Sequence, residues 1–153
     1  MFNVVLYQPE IPQNTGNIVR LCAATGCILH LIEPLGFSLH NRYLKRAGLD
    51  YWNLVDIRKY DTLQEFFNKC HGGKYFFVSI AGRRYYTEFN YQLGDFFIFG
   101  RESTGLPQEL LDENSGRCMR IPMLESARCL NLANSVAIVV YEGLHKHMFR
   151  GLS

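Results

Sequence analysis

The chain has 153 residues, of which 48% are hydrophobic and 20% are charged, and its net charge of +2 is too small to predict a nucleic-acid partner by itself. This length favours one domain over residues 1–153 that folds without disulfides or a structural metal. No apolar run approaches the roughly 18 residues of a membrane helix, and the first residues lack a secretory signal, so we expect a cytoplasmic protein with no membrane partner.

Short β-rich runs recur along the chain and predict strands. Most are continuously apolar, which is typical of strands buried on both faces of a parallel sheet. The five runs are NVVLY at 3–7, CILHLI at 27–32, YFFVSI at 75–80, DFFIFG at 95–100 and RCMRIP at 117–122.

Helical segments lie between these runs. The segment NTGNIVRLCAATG carries an apolar stripe and ends at Gly26, and Thr62 with Glu65 forms a capping box for the next helix. Pro107 suits the first turn of PQELLDE, and a final helix begins at about Asn131. Strand alternating with helix predicts an α/β domain with a mainly parallel sheet flanked by helices.

Three loops follow predicted strands, and such loops form the ligand sites of open parallel sheets. We therefore expect one binding site where they converge. The loops are QPEIPQNTGN at 8–17, GRESTGLP at 100–107 and IPMLESARCLN at 121–131.

The glycine loop between Gly100 and Gly105 has the glycine spacing of a phosphate-binding Walker A loop but not its chemistry. Leu106 and Pro107 stand where that motif needs lysine and a hydroxyl, and the chain has no G-x-G-x-x-G dinucleotide motif. Phosphate clasping is therefore excluded. Two interpretations remain: a loop that approaches another ligand through its backbone, and a tight turn that needs glycine for geometry alone.

The basic residues fall in local clusters, two of which adjoin aromatic residues. Such aromatics can stack on unpaired bases while the cations hold the backbone, but from the pattern alone a solvated charged face is the favoured interpretation. The clusters are Arg42, Lys45 and Arg46; Arg58 and Lys59; and Arg83 with Arg84.

The cysteines and histidines indicate no disulfide framework and no metal site. The five cysteines are scattered without a C-x-x-C pair, which favours reduced, mostly buried thiols. His145 and His147 are two residues apart and would face different sides of a helix. We expect no bound metal.

Taken together, NTGNIVRLCAATG, FIFGRESTGLP and IPMLESARCLNLANSVAIVVYE resemble, in this order, the three motifs of the SPOUT class of RNA methyltransferases, in its SpoU branch. The resemblance runs almost end to end, includes RAGLDYW, and is greatest for members that 2'-O-methylate the wobble nucleotide of transfer RNA, a cytidine or modified uridine at position 34. It implies an S-adenosylmethionine-dependent homodimer with a C-terminal trefoil knot, acting on the tRNA anticodon loop.

Matching the motifs also implies the cofactor contacts, several of them through the backbone. Position 129 is a cysteine where the family often has serine, and a thiol is a poorer hydrogen-bond donor than a hydroxyl, so backbone contacts are the ones expected to survive there. The implied cofactor residues are Val78, Gly100, Ile121, Cys129 and Leu130.

The family's catalytic candidate corresponds to Arg20. Because guanidinium stays protonated in proteins, we expect Arg20 to orient the target phosphate and stabilise the developing alkoxide instead of acting as a base. Glu102 is expected to order the glycine loop by accepting backbone N–H groups, and Asn134 to cap or cross-link the start of the final helix. Further expected RNA contacts are Asn14, Arg42, Lys45, Arg46, Arg128 and Tyr141.

Three alternative functions stay open at this point. A non-catalytic RNA-binding homodimer of the same fold would keep the basic clusters without binding a methyl donor. A 2'-O-methyltransferase acting on another RNA would share every motif, whereas a small-molecule methyltransferase would not need cations around residues 42–46. A P-loop hydrolase is excluded by the missing lysine after Gly105.

Overall fold

The computed structural model describes residues 1–40, 42, 44, 46 and 49–153. In this part of the chain seven strands form one sheet in which every pairing is parallel. The strands are β1 (Asn3–Tyr7), β2 (Ile28–Ile32), β3 (Ile57–Tyr60), β4 (Tyr75–Val78), β5 (Arg84–Tyr85), β6 (Phe96–Phe99) and β7 (Cys118–Arg120). Their order across the sheet is β3-β2-β1-β6-β4-β7-β5. The predicted α/β class with a mainly parallel sheet is confirmed.

All five predicted strands are present, and the two strands that the sequence patterns missed are the two edges of the sheet. The β3 sequence is IRKY, with exposed Arg58 and Lys59, and β5 is the exposed pair RY. Edge strands face water and commonly carry charged residues that discourage pairing with another chain. Arg58, Lys59 and Arg84 of the basic clusters therefore belong to edge strands, which is why the sequences of these strands did not look like buried strands.

Helices cover both faces of the sheet. They are α1 (Pro12–Thr25), α2 (Leu63–Lys69), α3 (Gln108–Glu113) and α4 (Leu132–Lys146). Successive residues of β1 point to opposite faces: Val4 packs in a core cluster with residues of α1 and α4, whereas Val5 packs with residues of α2 and α3. The central strands are buried on both faces, which explains their continuously apolar sequences.

The helix ends follow local sequence rules with two corrections. Gly26 ends α1 with φ of 69°, as predicted. The predicted capping box at Thr62 is half confirmed: the Thr62 hydroxyl accepts from the Glu65 N–H at 3.1 Å, but the Glu65 carboxylate accepts from the Asp61 N–H in place of the Thr62 N–H. The N-cap of α4 is Asn131, so Asn134 does not cap this helix, and a cross-linking role for its side chain stays a prediction. None of the helices in the described ranges combines the length and apolarity needed to cross a membrane.

His30 in β2 is fully buried in a polar pocket within the sheet. Its Nδ1 lies 3.0 Å from the Tyr60 hydroxyl and its Nε2 lies 3.0 Å from Asn3 Oδ1. Burial, with a smaller contribution from Arg58, lowers the pKa of His30 to about 4, so the imidazole is neutral in the folded protein at pH 7.

This burial predicts a specific loss of stability in acid. Since the unfolded chain binds a proton at His30 below about pH 6.5 and the folded chain resists it down to about 4, moving from pH 7 to pH 5 removes about 2 kcal/mol of unfolding free energy. Urea unfolding of the wild type and of His30→Gln at both pH values measures this. The wild type should lose about 2 kcal/mol more than the variant, and equal losses would contradict the assignment.

Candidate active site

A cavity of about 780 Å³ opens at the carboxyl ends of β4, β6 and β7 and at the start of α1. This size lies within the ordinary range of small-molecule sites. Its walls come from Ile11 and Asn14, from residues 78–81 and 99–106, and from Ile121, Met123 and residues 128–132. The expected convergence of the three loops is confirmed.

The residues expected to hold a cofactor all line this one cavity. They are separated by up to 52 positions along the chain and come from three different strand ends. Cys129 is exposed, in contrast to the other four cysteines, which are buried free thiols. The lining members of the expected set are Val78, Gly100, Ile121, Cys129 and Leu130.

The glycine loop is a closed turn. Arg101 and Gly105 exchange two backbone hydrogen bonds of 3.1 and 2.9 Å, and Gly105 has φ of +70°, which favours glycine. A Cβ on Gly100 would lie 2.1 Å from the carbonyl carbon of Gly105. Both glycines are thus required by the turn itself, which confirms the tight-turn interpretation. The turn also lines the cavity, and its approach to a ligand stays a prediction.

Glu102 connects this turn to the start of α1. Its carboxylate accepts hydrogen bonds from the N–H groups of Glu10 and Ile11 at 2.8 and 3.1 Å and from Asn14 Nδ2 at 3.1 Å. In return, the Glu10 carboxylate accepts from the N–H and hydroxyl of Ser103, and these bonds hold the pKa of Glu10 below its usual value. Glu102 was expected to accept backbone N–H groups of its own glycine loop. It does accept backbone N–H groups, but they belong to the loop at 8–17.

Asn131 extends the connection to the third loop. Its Nδ2 donates to Asn14 Oδ1 at 2.9 Å, and its Oδ1 accepts from the N–H groups of Ala133 and Asn134 at the start of α4. Asn14 is only 5% exposed, and both ends of its amide have partners. This favours a role for Asn14 in joining the loops, whereas its predicted contact with RNA stays a prediction.

Arg20 lies elsewhere on α1, exposed and outside the residues that line the cavity. Six residues along a helix amount to about 9 Å of rise and about 240° of rotation, so Arg20 and Asn14 face different directions. Its Nη2 is 3.4 Å from the Tyr51 hydroxyl, and its Cζ is 5.0 Å from the Tyr51 ring centroid. The sequence patterns did not identify this partner, although Tyr51 lies in the segment RAGLDYW that was noted as part of the family resemblance.

Comparison with known proteins assigns the family. The sequence profile of the SpoU rRNA Methylase family matches residues 1–141. The chain belongs to this family. A Geobacillus stearothermophilus protein provisionally named tRNA (cytidine(34)-2'-O)-methyltransferase is 56% identical over 154 residues, which cover 99% of this chain and 98% of the relative.

Solved structures agree with this family assignment. A protein whose structure addresses 2-OH methylation of C/U34 on tRNA is 45% identical, with a TM-score of 0.93 and coverage of 98% of both chains. An AdoMet-bound rRNA methyltransferase from Sinorhizobium meliloti is 25% identical, with a TM-score of 0.84 over 94% of this chain and 56% of that protein.

The other residues that the SpoU resemblance links to RNA are distributed over the surface. Arg128 lines the cavity and is exposed, Arg42 and Arg46 are exposed, and Tyr141 on α4 is 45% exposed. Lys45 lies outside the described residues. Among the described residues of this SpoU-family chain, no three His, Cys, Asp or Glu side chains cluster closely enough to hold a metal ion.

The Glu102 contacts predict a local effect of one isosteric substitution. In Glu102→Gln a single amide oxygen replaces two acceptors and the NH₂ group faces a donor, so we expect the unfolding free energy to fall by about 1–3 kcal/mol. Backbone amide hydrogen exchange at Glu10 and Ile11 should accelerate. Glu109→Gln, an exposed glutamate in the first turn of α3, is the matched control. Unchanged exchange at Glu10 and Ile11 would show that the carboxylate does not hold this loop.

Proposed function

We propose that this SpoU-family chain transfers a methyl group from S-adenosylmethionine to the ribose 2'-hydroxyl of the wobble nucleotide, position 34, of transfer RNA. The observation that carries the proposal is the convergence of three separate motif loops on one cavity. The relatives match this chain over nearly its full length, so the substrate in their names supports the same substrate here. An AdoMet-bound neighbour supports the methyl donor.

The residues around the cavity fit such a cofactor. S-adenosylmethionine has no phosphate and supplies an activated methyl group on a sulfonium, so it needs an apolar wall and backbone partners instead of a lysine. Leu106, Ile121 and Leu130 provide apolar surface, and the closed turn after Gly100 brings main-chain groups to the same wall. Val78 and Cys129 complete the proposed cofactor set, with Cys129 acting through its backbone.

Arg20 serves the RNA and not the cofactor in this proposal. Its position outside the cavity lining and its exposure favour contact with a substrate that approaches over the surface. A permanently charged guanidinium cannot remove the proton from the ribose hydroxyl, but it can hold the target phosphate with two parallel hydrogen bonds and stabilise negative charge on the ribose oxygen. Alignment of the reactants then supplies much of the rate.

A single-stranded anticodon loop fits the remaining surface residues, because unpaired bases can stack on aromatic rings while cations hold the backbone. Arg128 lies at the cavity itself, and Arg42 and Arg46 are exposed cations of the segment that precedes Tyr51. We include Lys45, Asn14 and Tyr141 in the proposed RNA surface on the family resemblance.

The proposal includes a single SPOUT domain over residues 1–153 that works in the cytoplasm as a homodimer with a C-terminal trefoil knot. The strand order supports the knot, since β6 lies between β1 and β4, and β7 lies between β4 and β5, so late strands occupy positions flanked by earlier ones. Ala137 and Ile138 of α4 are only partly buried, which leaves this helix with apolar surface for a partner.

The direct test is mass spectrometric mapping of ribose methylation in transfer RNA from cells with and without this gene. We expect 2'-O-methylation at position 34 to disappear on deletion and to return with purified protein and S-adenosylmethionine. An unchanged position 34 together with calorimetric binding of the cofactor would indicate a different RNA substrate. Binding of RNA without binding of the cofactor would indicate a non-catalytic RNA-binding protein.

Substitution of Arg20 by lysine separates its proposed role from cofactor binding. A point charge keeps the attraction to phosphate but loses the bidentate geometry, so we expect turnover in Arg20→Lys to fall by about tenfold to a hundredfold. Affinity for S-adenosylmethionine should not change. Arg117→Lys, at the amino end of β7 and away from the cavity edge, is the control. Near wild-type turnover in Arg20→Lys would exclude bidentate recognition.

A further inference from the structure

We propose that Tyr51 is a positioning residue that holds the guanidinium of Arg20 in its working orientation without neutralising its charge. This inference rests on the function proposed above, in which Arg20 acts on the RNA. The contact itself is independent of that function: Arg20 Nη2 lies 3.4 Å from the Tyr51 hydroxyl, and Arg20 Cζ lies 5.0 Å from the ring centroid. Both the ring face and its hydroxyl therefore contact the same cation.

Tyr51 is suited to this task because its own position is fixed by packing. It belongs to the 3-10 turn Leu49–Leu54, which packs along α1. Its ring is partly buried against the main core cluster, as is that of Trp52. An arginine side chain has many rotamers, and contact with a ring that is itself packed against the core reduces the number that an exposed arginine samples.

The chemistry of the partner is as informative as its position. Among the described side chains, no carboxylate is close enough to Arg20 to form a salt bridge. Arg58, in contrast, is paired with Asp56 at 2.6 Å. A carboxylate would orient Arg20 equally well but would compete with an incoming phosphate for its N–H groups. A neutral phenol orients the group and leaves its positive charge and most of its donors for the RNA.

The test compares two substitutions of Tyr51 with a matched control. Tyr51→Phe keeps the ring and should retain turnover within about threefold, whereas Tyr51→Leu removes the contact and should lower kcat by about fivefold to tenfold. The KM for S-adenosylmethionine should not change. The control is Tyr75→Leu, which removes a half-buried tyrosine from the other core cluster without touching α1. Thermal unfolding confirms that each variant is folded.

A double-mutant cycle distinguishes positioning from a general structural effect. If Tyr51 acts through Arg20, Tyr51→Leu should lower kcat less than twofold when Arg20 is already lysine. A similar loss in both backgrounds would overturn the proposal, because a structural defect does not depend on Arg20. Wild-type turnover in Tyr51→Leu would overturn it as well.

A measurement without RNA keeps this test separate from the proposed function. The ¹⁵N relaxation of the Arg20 Nε–Hε group, assigned with Arg20→Lys, should report a lower order parameter in Tyr51→Leu than in the wild type and in Tyr75→Leu. If the wild type fails to methylate position 34, the proposed function fails, and the order parameter still decides the positioning role. An unchanged order parameter would refute the role of Tyr51 even in an active enzyme.

Discussion

The Glu102 carboxylate is the interaction on which the site depends, because it joins segments that the chain order keeps far apart. It binds residues 92, 91 and 88 positions away, and Asn131 reaches Asn14 across 117 positions. Each of these loops leaves a different strand end and would otherwise be free to move independently. A carboxylate at the start of α1 also lies where the helix dipole favours negative charge. The Glu102 side chain therefore holds the N-terminus of α1 against the glycine loop that lines the cavity.

The walls of the cavity are held by hydrogen bonds within the protein itself. The turn after β6 is closed by its own backbone hydrogen bonds, and Gly100 allows that backbone to approach more closely than any side chain would permit. The central strands beneath this turn are buried on both faces of the sheet. A cavity whose walls are already held in place reduces the ordering cost of binding a flexible ligand.

The sequence predicts the interior of this fold better than its edges and its tertiary contacts. Buried strands are recognisable because both of their faces need apolar residues. The edge strands β3 and β5 face water and carry charged residues, so their sequences lack this signal. The convergence of three loops followed from the general behaviour of parallel sheets. The α4 cap at Asn131 obeys a local rule, because asparagine is a favoured N-cap and the helix was predicted to begin there. Two tertiary contacts could not follow from the sequence: the hydrogen bond from Asn131 to Asn14, and the partner of Arg20, which depends on how a distant turn packs against α1.

Helix α1 carries both Asn14, which lines the cavity, and Arg20, which is proposed to contact the RNA. The helix therefore sets the positions of these two residues relative to each other. The start of α1 is held at the cavity by Glu102, and six residues later Arg20 projects from a different face. The separation of six residues places the Arg20 Cα about 9 Å along the helix axis from the Asn14 Cα, so the backbone sets where the arginine side chain begins. The torsions of that side chain still decide where the guanidinium points, and contact with Tyr51 limits them. Loop contacts thus determine where α1 lies, and an uncharged aromatic contact determines where its cation points.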